Sequence, residues 1–344
     1  SLGGVTFNNA GGTIDVTGGS FDVNGSGTFT DGTFTVAAGK ALSLSGGAKT
    51  ISGTLTGSGG GTVSLSSGTL SAAAGGATLD FPAVLFHYVD SGNLGGGTFT
   101  NTGFIQMDRG QPDLSTTLNN SGTIINSARL DLLGGGHLVN LAGGLFDIAT
   151  STINGVFFNG GGTIENAGTF RYSAGGFPND LGGISFSNTG IVEVTAGSFA
   201  LNGPVAQVSG QTLTGGTWEV HPGTSLGLTG TALTTNKGSI ILHGNGSIGG
   251  VTGALETNNG SLELLEGADF NATMSFANIG SLVLSPGSVM NVPLEFTQGP
   301  NGRTEFQIGG TPASGQFGRL ATAANTSLDG TAALSIVNGF SPGM

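Results

Sequence analysis

The chain contains no cysteine, which excludes disulfide bonds, thiolate metal sites and cysteine nucleophiles. Charged residues are scarce as well, at 8% of the sequence against roughly a quarter in an average globular protein. No apolar run approaches the ~18 residues of a membrane-spanning helix. No stretch keeps the i, i+3, i+4, i+7 apolar spacing of an amphipathic helix without a glycine interrupting it. The sequence therefore predicts neither a transmembrane helix nor a helical fold.

The charges that are present lean strongly to one sign, because 20 acidic residues against 8 basic ones give a net charge of −12. Nucleic acids and anionic membrane surfaces are bound by clustered Lys and Arg, so neither is an expected partner. Direct membrane insertion of this segment is not expected either. With 37% hydrophobic residues, the chain lacks the apolar-poor composition of a disordered protein. We therefore expect an ordered chain with a sizeable apolar core.

Glycine is abundant instead, at 69 of 344 residues, and much of it falls in a repeat. An Asn-x-Gly tripeptide returns about every 20 to 24 residues, and one gap of 48 residues corresponds to two such intervals. Apolar and polar residues alternate on either side, as with Phe99 before Asn101 and Ile105 and Met107 after it, which indicates strands with one buried face. The residues assigned to these structural corners are Asn101, Gly103, Asn120, Gly122, Asn166, Gly168, Asn188, Gly190, Asn236, Gly238, Asn258, Gly260, Asn278 and Gly280.

A strand, an Asn-x-Gly corner and a second strand, repeated every twenty-odd residues, form one rung of a β-solenoid. Gly and Asn suit such a corner because both accept positive φ at low cost. The predicted fold is an all-β, right-handed parallel β-helix (β-solenoid) of about 20–24 residues per rung. We expect a single continuous β-helix over residues 1–344, with both ends lying inside a longer protein.

Three segments interrupt the repeat, at 80–97, 107–117 and 172–183, and we predict irregular loop insertions there. In solenoids such insertions often lie on the binding face. Charged and aromatic residues in and after the first two segments recur about one rung apart, so they are expected to stack on one side. A simpler interpretation is solvated loops with an incidental salt bridge. The candidate ligand-binding residues are His87, Tyr88, Asp90, Asp108, Arg109, Asp113, Arg129 and Asp131.

The last segment, 303–344, carries a pattern of apolar residues, glycine and proline formed by Leu328, Gly330, Leu334, Ile336, Val337, Gly339, Phe340 and Pro342. This pattern resembles the closing rungs of autotransporter-type passenger domains. The Asn-x-Gly ladder upstream resembles filamentous-haemagglutinin-like bacterial β-strand-repeat surface proteins. The resemblance implies a right-handed β-helix, export across the cell envelope, and an extracellular or cell-surface location.

Catalytic motifs are few and lack their usual context. Residues 223–227 match GxSxG around Ser225, and residues 244–249 match GxGxxG, but no helical sequence follows either motif. The histidines are widely separated along the chain, so no shared metal site is predicted from His87, His137, His221 and His243. We therefore predict no catalytic residue, no cofactor and no metal, and a protein that is not an enzyme.

The favoured function is a structural or adhesive stalk or filament segment of a secreted bacterial cell-surface protein. Its expected partners are flanking parts of a longer chain, like chains in a filament, or surface glycans. The alternative is a polysaccharide lyase or glycoside hydrolase, or a glycan-binding module, with a site around Asp108, Arg109 and Asp113. A flat ice-binding or surface-binding face is not expected, because Thr-x-Thr pairs such as 28–30 and 54–56 do not recur at the rung period.

Overall fold

The chain folds as an all-β, right-handed parallel β-helix, which confirms the predicted fold class. The computed structural model describes residues 1–149, 158–175, 179–228, 230 and 232–342. Residues cluster into two compact units, Ser1–Ser187 and Asn188–Met344, and each is described by itself. A single continuous β-helix over residues 1–344 stays a prediction. Among the described residues, no helix has both the length and the hydrophobicity needed to span a membrane.

The first unit contains short strands, most of them three or four residues long, and two long ones. They are β1 (Phe7–Ala10), β2 (Thr13–Val16), β3 (Ser20–Asp22), β4 (Gly27–Thr30), β5 (Thr33–Val36), β6 (Ala41–Ser43), β7 (Ala48–Ser58), β8 (Thr62–Leu65), β9 (Thr69–Asp80), β10 (Phe86–Tyr88), β11 (Asn93–Gly96), β12 (Phe99–Asn101), β13 (Phe104–Met107), β14 (Asp113–Leu114), β15 (Thr117–Asn120), β16 (Thr123–Asn126), β17 (Leu130–Leu132), β18 (His137–Asn140), β19 (Leu145–Ile148), β20 (Phe158–Gly160), β21 (Thr163–Asn166), β22 (Thr169–Tyr172), β23 (Asn179–Asp180) and, ending at the boundary, β24 (Ser185–Asn188).

Each rung of the first unit supplies strands to three parallel columns. Column 1 stacks β1, β4, the first half of β7, the first half of β9, β11, β14, β17 and β20. Column 2 stacks β2, β5, the second halves of β7 and β9, β12, β15, β18 and β21. Column 3, which follows the Asn-x-Gly corner, stacks β3, β6, β8, β10, β13, β16, β19 and β22.

The second unit continues with strands of two to six residues and one short 3₁₀ helix, Pro312–Ser314. The strands are β25 (Ile191–Val194), β26 (Ser198–Leu201), β27 (Val208–Ser209), β28 (Thr212–Leu213), β29 (Thr217–Val220), β30 (Ser225–Leu228), β31 (Thr235–Asn236), β32 (Ser239–His243), β33 (Ser247–Gly249), β34 (Thr257–Asn258), β35 (Ser261–Leu265), β36 (Asp269–Asn271), β37 (Phe276–Asn278), β38 (Ser281–Leu284), β39 (Val289–Val292), β40 (Phe296–Gln298), β41 (Arg303–Ile308), β42 (Arg319–Thr322), β43 (Thr326–Leu328) and β44 (Thr331–Ile336).

In the second unit, column 3 again follows the corner and stacks β25, β29, β32, β35, β38, β41 and β44. Column 2 stacks β28, β31, β34, β37, β40 and β43, with β27 antiparallel to β28. Column 1 is formed by two separate stacks, β26–β30–β33 and β36–β39–β42. The predicted 48-residue interval does span two rungs, because Leu213 occupies the corner position between Asn188 and Asn236 and pairs with Asn236.

The corner asparagines are buried inside the solenoid and bond to one another from rung to rung. Asn101 Nδ2 donates to Asn120 Oδ1, Asn120 Nδ2 to Asn140 Oδ1, and Asn140 Nδ2 to Asn166 Oδ1, each at 2.7 Å. The same Nδ2 atoms also donate to backbone carbonyls, such as that of Leu145 at 3.0 Å from Asn120. Apart from Asn101 Oδ1, which has no hydrogen-bond partner at the start of the ladder, these bonded amides satisfy each other in an interior that would otherwise penalise an unpaired polar group.

A second ladder of side-chain amides lies in the second unit. Asn236 Nδ2 donates to Asn258 Oδ1 at 2.8 Å, and Asn258 Nδ2 donates to Asn278 Oδ1 at 2.9 Å. Asn278 Nδ2 then donates to the Arg303 carbonyl at 3.1 Å. Asn188 makes the equivalent backbone contact, from its Nδ2 to the Thr217 carbonyl at 3.1 Å.

The corner glycines are required for a reason other than the predicted one. None of Gly103, Gly122, Gly168, Gly238, Gly260 and Gly280 has positive φ. A Cβ on Gly122 would instead lie 2.1 Å from the carbonyl oxygen of Gly103, one rung earlier, and a Cβ on Gly280 would lie 2.1 Å from that of Gly260. Stacked corners approach so closely that a side chain has no room, so the expectation based on positive φ was wrong.

Replacing Gly122 by alanine is expected to lower the free energy of unfolding by about 1–3 kcal/mol, because two backbones would have to separate. The matched control is Gly18→Ala, where an added Cβ meets open space and φ is not positive. That control should be neutral or stabilising by about 0.4–1 kcal/mol, since alanine restricts the unfolded chain. Urea unfolding measures both, and equal midpoints for the two variants would contradict the close-contact explanation.

Aromatic stacks add to the core. Phe146 and Phe170 occupy the same position on neighbouring rungs, with parallel rings 5.2 Å apart, and Phe158 packs against Phe146 at 5.7 Å. Phe276 and Phe296 stack in the second unit at 6.2 Å. Offset and tilted ring pairs at these distances are favourable beyond the area that they bury.

Two of the three predicted insertions are largely part of the solenoid. Segment 80–97 contains β10 and β11, and segment 107–117 contains β14, all paired with neighbouring strands. Their inward residues, including Phe86, Tyr88, Leu94 and Leu114, are buried, so the rung continues where polar neighbours obscured the alternation. The expectation of projecting loops was therefore wrong for most of these residues. In segment 172–183, residues 176–178 lie outside the described part of the chain.

Candidate functional site

The predicted ligand-binding residues lie at one corner of three consecutive rungs in the first unit. Segments 89–92, 108–112 and 127–129 connect column 3 to column 1 at this corner. His87 pairs in register with Gln106, Asp90 bridges Gly110, and Asp113 pairs with Asp131. We call this group the charged corner and define it as His87, Asp90, Asp108, Arg109, Asp113, Arg129 and Asp131.

Within the charged corner, a histidine–carboxylate contact and an ion pair join the first rung to the second. His87 Nδ1 lies 2.9 Å from Asp108 Oδ2, and its Nε2 lies 3.2 Å from the Val84 carbonyl oxygen. Arg109 Nε donates to Asp90 Oδ2 at 3.1 Å, and both of these side chains are well exposed. Exposed pairs of this kind contribute roughly 0–1 kcal/mol, so their main effect is to hold the corner's shape.

The backbone beside these pairs is strained. Val84 has φ of 57° and Asp90 has φ of 54°, both in the left-handed region. That conformation is unfavourable for a β-branched residue such as Val84 and persists only where the surroundings enforce it. The two residues flank β10, so the strain is concentrated where His87 is presented to solvent.

The third rung holds a more buried group. Arg129 Nε donates to Asp131 Oδ1 at 2.9 Å, and Arg129 Nη2 donates to Gln111 Oε1 at 2.9 Å. This hydrogen bond to Asp131 raises the pKa of Arg129. Burial, together with the neighbouring charge of Asp131, raises the pKa of Asp113. The corner therefore places a carboxyl group that is easier to protonate beside a carboxylate held by an arginine.

Tyr88 points into the core and does not contribute to the surface of the charged corner. Its ring is fully buried, and its hydroxyl donates to the backbone carbonyl of Asp113. Burial raises the pKa of this hydroxyl well above its usual value. Tyr88 is a core residue that ties β10 to β14, which corrects its assignment as a ligand-binding candidate.

Replacing Asp113 by asparagine is expected to raise the melting temperature at pH 7. The pKa of Asp113 is higher in the folded chain than its ordinary 3.8, so the folded chain holds more protons above pH 3.8. The free energy of unfolding therefore falls as the pH rises from 3.8 to the higher pKa that Asp113 has in the folded chain. The gain from Asp113→Asn should shrink toward zero below that window. The control is Asp15→Asn at an exposed strand position, and a gain that is independent of pH would contradict the assignment.

Columns 1 and 2 of the first unit carry an ordered array of hydroxyl groups. Thr28 pairs with Thr50, and Thr50 with Ser71; Thr54 pairs with Thr78, and Thr78 with Thr100. We call this array the hydroxyl face and define it as Thr28, Thr30, Thr50, Ser52, Thr54, Thr56, Ser71, Thr78 and Thr100. The Thr-x-Thr pairs themselves do not align with one another, as expected, because Thr30 pairs with Ser52 and Thr56 with Asp80. The residues that align from rung to rung are single Thr and Ser residues, which the sequence interpretation did not consider.

A histidine group in the second unit was missed by the sequence interpretation. His221 and His243 follow paired residues on neighbouring rungs, and their rings stack with centroids 4.6 Å apart and an angle of 5°. Glu219 Oε1 lies 3.0 Å from His243 Nε2 and 3.5 Å from His221 Nε2. We call Glu219, His221 and His243 the histidine cluster. The signal was present in the sequence, because 22 residues separate the two histidines, which is one rung.

The two motif matches have no catalytic context in the structure. Ser225 lies in β30, and its hydroxyl is 2.8 Å from that of Ser198 one rung earlier. Residues 244–249 comprise the end of a turn and the strand β33. Neither motif leads into a helix among the described residues, as the nucleophile elbow and the dinucleotide fingerprint both require.

The chain is thus a parallel β-helix repeat protein with a charged corner, a hydroxyl face and a histidine cluster. Searches against protein-family models, curated proteins and solved structures found no match to it. Its function must therefore be argued from these three groups of residues, since β-helices serve both structural and catalytic roles.

Proposed function

We propose that the chain is a rigid structural and adhesive segment of a secreted bacterial cell-surface protein, without catalytic activity. The observation that carries this proposal is the interlocking of consecutive rungs. Backbone pairing, the buried amide ladders and the stacked aromatic rings all repeat from one rung to the next. A solenoid that is stabilised by neighbouring rungs in this way suits load bearing and display.

The hydroxyl face supports an adhesive role. Neighbouring rungs are about 4.8 Å apart, and alternate residues on one strand are about 6.8 Å apart. The face therefore offers a regular two-dimensional grid of groups that both donate and accept hydrogen bonds. A groove of about 290 Å³ lined by Thr54, Thr78, Thr98 and Thr100 lies on it. Neutral polysaccharides, which present repeated hydroxyls, are the ligand class proposed for this face.

Retention on polysaccharides tests the adhesive role. The chain should be retained on at least one insoluble neutral polysaccharide, and the triple variant Thr54→Val, Thr78→Val, Thr100→Val should bind at least tenfold more weakly. Valine preserves the shape and removes the hydroxyl. The matched control replaces Thr123, Thr163 and Thr169, which lie outside the hydroxyl face, by valine. Equal retention of both triple variants would exclude the hydroxyl face as the adhesive surface.

Stacking of a further rung is proposed for the end formed by β43 and β44. Leu328, Leu334 and Ile336 are exposed there, and a cavity of about 650 Å³ is lined in part by Phe306 and Phe340. An apolar strand edge of this kind invites pairing with another strand. The proposed partner is another β-helix rung, from a flanking part of a longer chain or from a like chain.

Immunogold labelling of intact cells that make the protein tests the surface location.

A second candidate function, a polysaccharide lyase or glycoside hydrolase, is favoured by one observation in the charged corner. Asp113, whose pKa is raised, pairs in register with Asp131, which is bonded to Arg129. A carboxyl group that is easier to protonate, placed beside a second carboxyl group, is the kind of pair used in general acid–base catalysis of glycan cleavage. Cleavage of a polysaccharide by the chain, abolished by Asp113→Asn and by Asp131→Asn but not by Asp15→Asn, would establish this function.

A further inference from the structure

The histidine cluster has the donor geometry of a metal site. Its three ligand atoms, one from each of Glu219, His221 and His243, all lie within 4.8 Å of one another. Two of the separations are 3.0 and 3.5 Å. Zinc bonds of about 2.1 Å in tetrahedral geometry place neighbouring ligand atoms about 3.4 Å apart. Small side-chain adjustments would therefore bring all three atoms onto one cation.

Three carboxylates, those of Glu193, Glu219 and Glu266, lie beside the two imidazoles of the cluster and make it rich in negative charge. His243 is about nine-tenths buried, with its Nε2 beside Glu219 and its Nδ1 3.3 Å from Glu266 Oε1, outside hydrogen-bond geometry. A neutral imidazole has one N–H, so one of these two nitrogens turns a lone pair toward a carboxylate. A cation bound to Nε2 of His243 would leave Nδ1–H free to donate to Glu266.

The surroundings of the cluster fit this arrangement. Glu266 is held in the left-handed region, with φ of 54°, in the turn that brings it to His243. A carboxylate that accepts from the distal nitrogen of a metal-bound histidine is the usual second partner in such sites. Glu193 Oε1 lies 3.2 Å from His221 Nε2, within reach of a fourth position. A groove of about 600 Å³ that borders His243 and Glu266 provides access from solvent.

We propose that Glu219, His221 and His243 bind one divalent transition-metal cation, with Zn²⁺ as the best match, and that Glu266 positions His243. Two imidazoles and a carboxylate are a ligand set that suits Zn²⁺ better than Ca²⁺ or Mg²⁺, which prefer oxygen ligands. The cation clamps the corner after β29 to the corner at the end of β32. This inference is independent of the proposed adhesive function.

Calorimetric titration of the chelator-treated chain with ZnCl₂ tests the site. We expect one Zn²⁺ per chain, and binding weakened at least tenfold in His221→Gln, in His243→Gln and in Glu219→Gln. Glu266→Gln should weaken binding about 10- to 100-fold, as loss of such a partner typically does. The matched controls are His87→Gln and His137→Gln, which remove histidines that each face a single carboxylate. These controls should bind as the parent chain does.

Two further readouts use the unaltered chain. Zn²⁺ should raise its melting temperature, whereas Mg²⁺ at the same concentration should not, and Co²⁺ should give the visible absorption of a four-coordinate nitrogen–oxygen site. Circular dichroism of each variant establishes that it is folded. The proposal is overturned if the unaltered chain binds no Zn²⁺ at millimolar concentration, or if His87→Gln and His137→Gln abolish binding while His221→Gln and His243→Gln do not.

Discussion

Replacing Asn258 by alanine is expected to lower the free energy of unfolding by about 3–5 kcal/mol, a large effect for one polar side chain. Asn258 Nδ2 donates to Asn278 Oδ1 at 2.9 Å and to the Ser281 carbonyl at 2.7 Å, and its Oδ1 accepts from Asn236. Alanine leaves the buried Asn278 Oδ1 without its donor, removes the bonds to the Ser281 carbonyl and from Asn236, and interrupts the ladder. Each unpaired group costs roughly 1–3 kcal/mol.

The neighbouring residue provides the matched control. Asn259 lies next to Asn258 in the sequence but is exposed. Asn259→Ala should change the free energy of unfolding by less than about 0.5 kcal/mol, as is usual for surface positions. Chemical denaturation of both variants measures the difference. If both variants unfold with the same midpoint as the parent chain, the buried amides do not stabilise the stack and the account of the corners fails.

Replacing Phe146 by alanine should lower the free energy of unfolding by about 3–5 kcal/mol, the range found for large aromatic residues in a core. Phe146 is fully buried, and it stacks between Ile124 on one rung and Phe170 on the next. Because a solenoid rung packs on its two neighbours, the cavity would remove contacts on both sides. Phe104, a half-buried residue on column 3, provides the control through Phe104→Ala.

The Phe104 variant should lose clearly less stability than the Phe146 variant, since less of its ring is removed from water. The pair of measurements therefore separates the effect of interior stacking from that of losing an aromatic residue. A loss of under about 1 kcal/mol for Phe146→Ala would show that the column 3 stack is loosely packed.

Much of the fold could be predicted because one rung repeats with small variation. The period-two alternation around each Asn-x-Gly tripeptide predicts the strands on either side and the corner between columns 2 and 3. The reason for the glycines could not be found in the same way. Gly122 is required because the Gly103 carbonyl one rung earlier occupies the space of a Cβ, and that neighbour becomes visible only once the rungs are stacked.

The candidate sites were likewise predicted in part from the sequence, and the rest became visible only in the stacked rungs. The charged corner was predicted from residues one rung apart, and the structure places them on three neighbouring rungs, but Tyr88 points inward. The same spacing rule would have found His221 and His243, had it been applied to them. The hydroxyl face was missed because the long strands β7 and β9 run through two columns, so Thr50 and Thr54 align with different neighbours.

One buried residue is of a type that is rarely found in a core. Lys49 lies in β7 with no exposed surface, and its Nζ donates to the carbonyls of Ser45 and Gly46, both at 3.0 Å. Burial lowers its pKa to about 8. The alternation in β7 places Lys49 on the same inward face as Ile51, between the exposed Ala48 and Thr50, so the backbone carbonyls of Ser45 and Gly46 compensate for a charged group at an interior position.

The proposed structural and adhesive role is tested most directly by incubating the chain with a panel of neutral and acidic polysaccharides. Retention of the chain and scission of the polysaccharide are measured in the same samples. The account predicts retention that depends on Thr54, Thr78 and Thr100, with no new chain ends released. Release of new chain ends that is lost in Asp113→Asn and Asp131→Asn would contradict it and identify the charged corner as an active site.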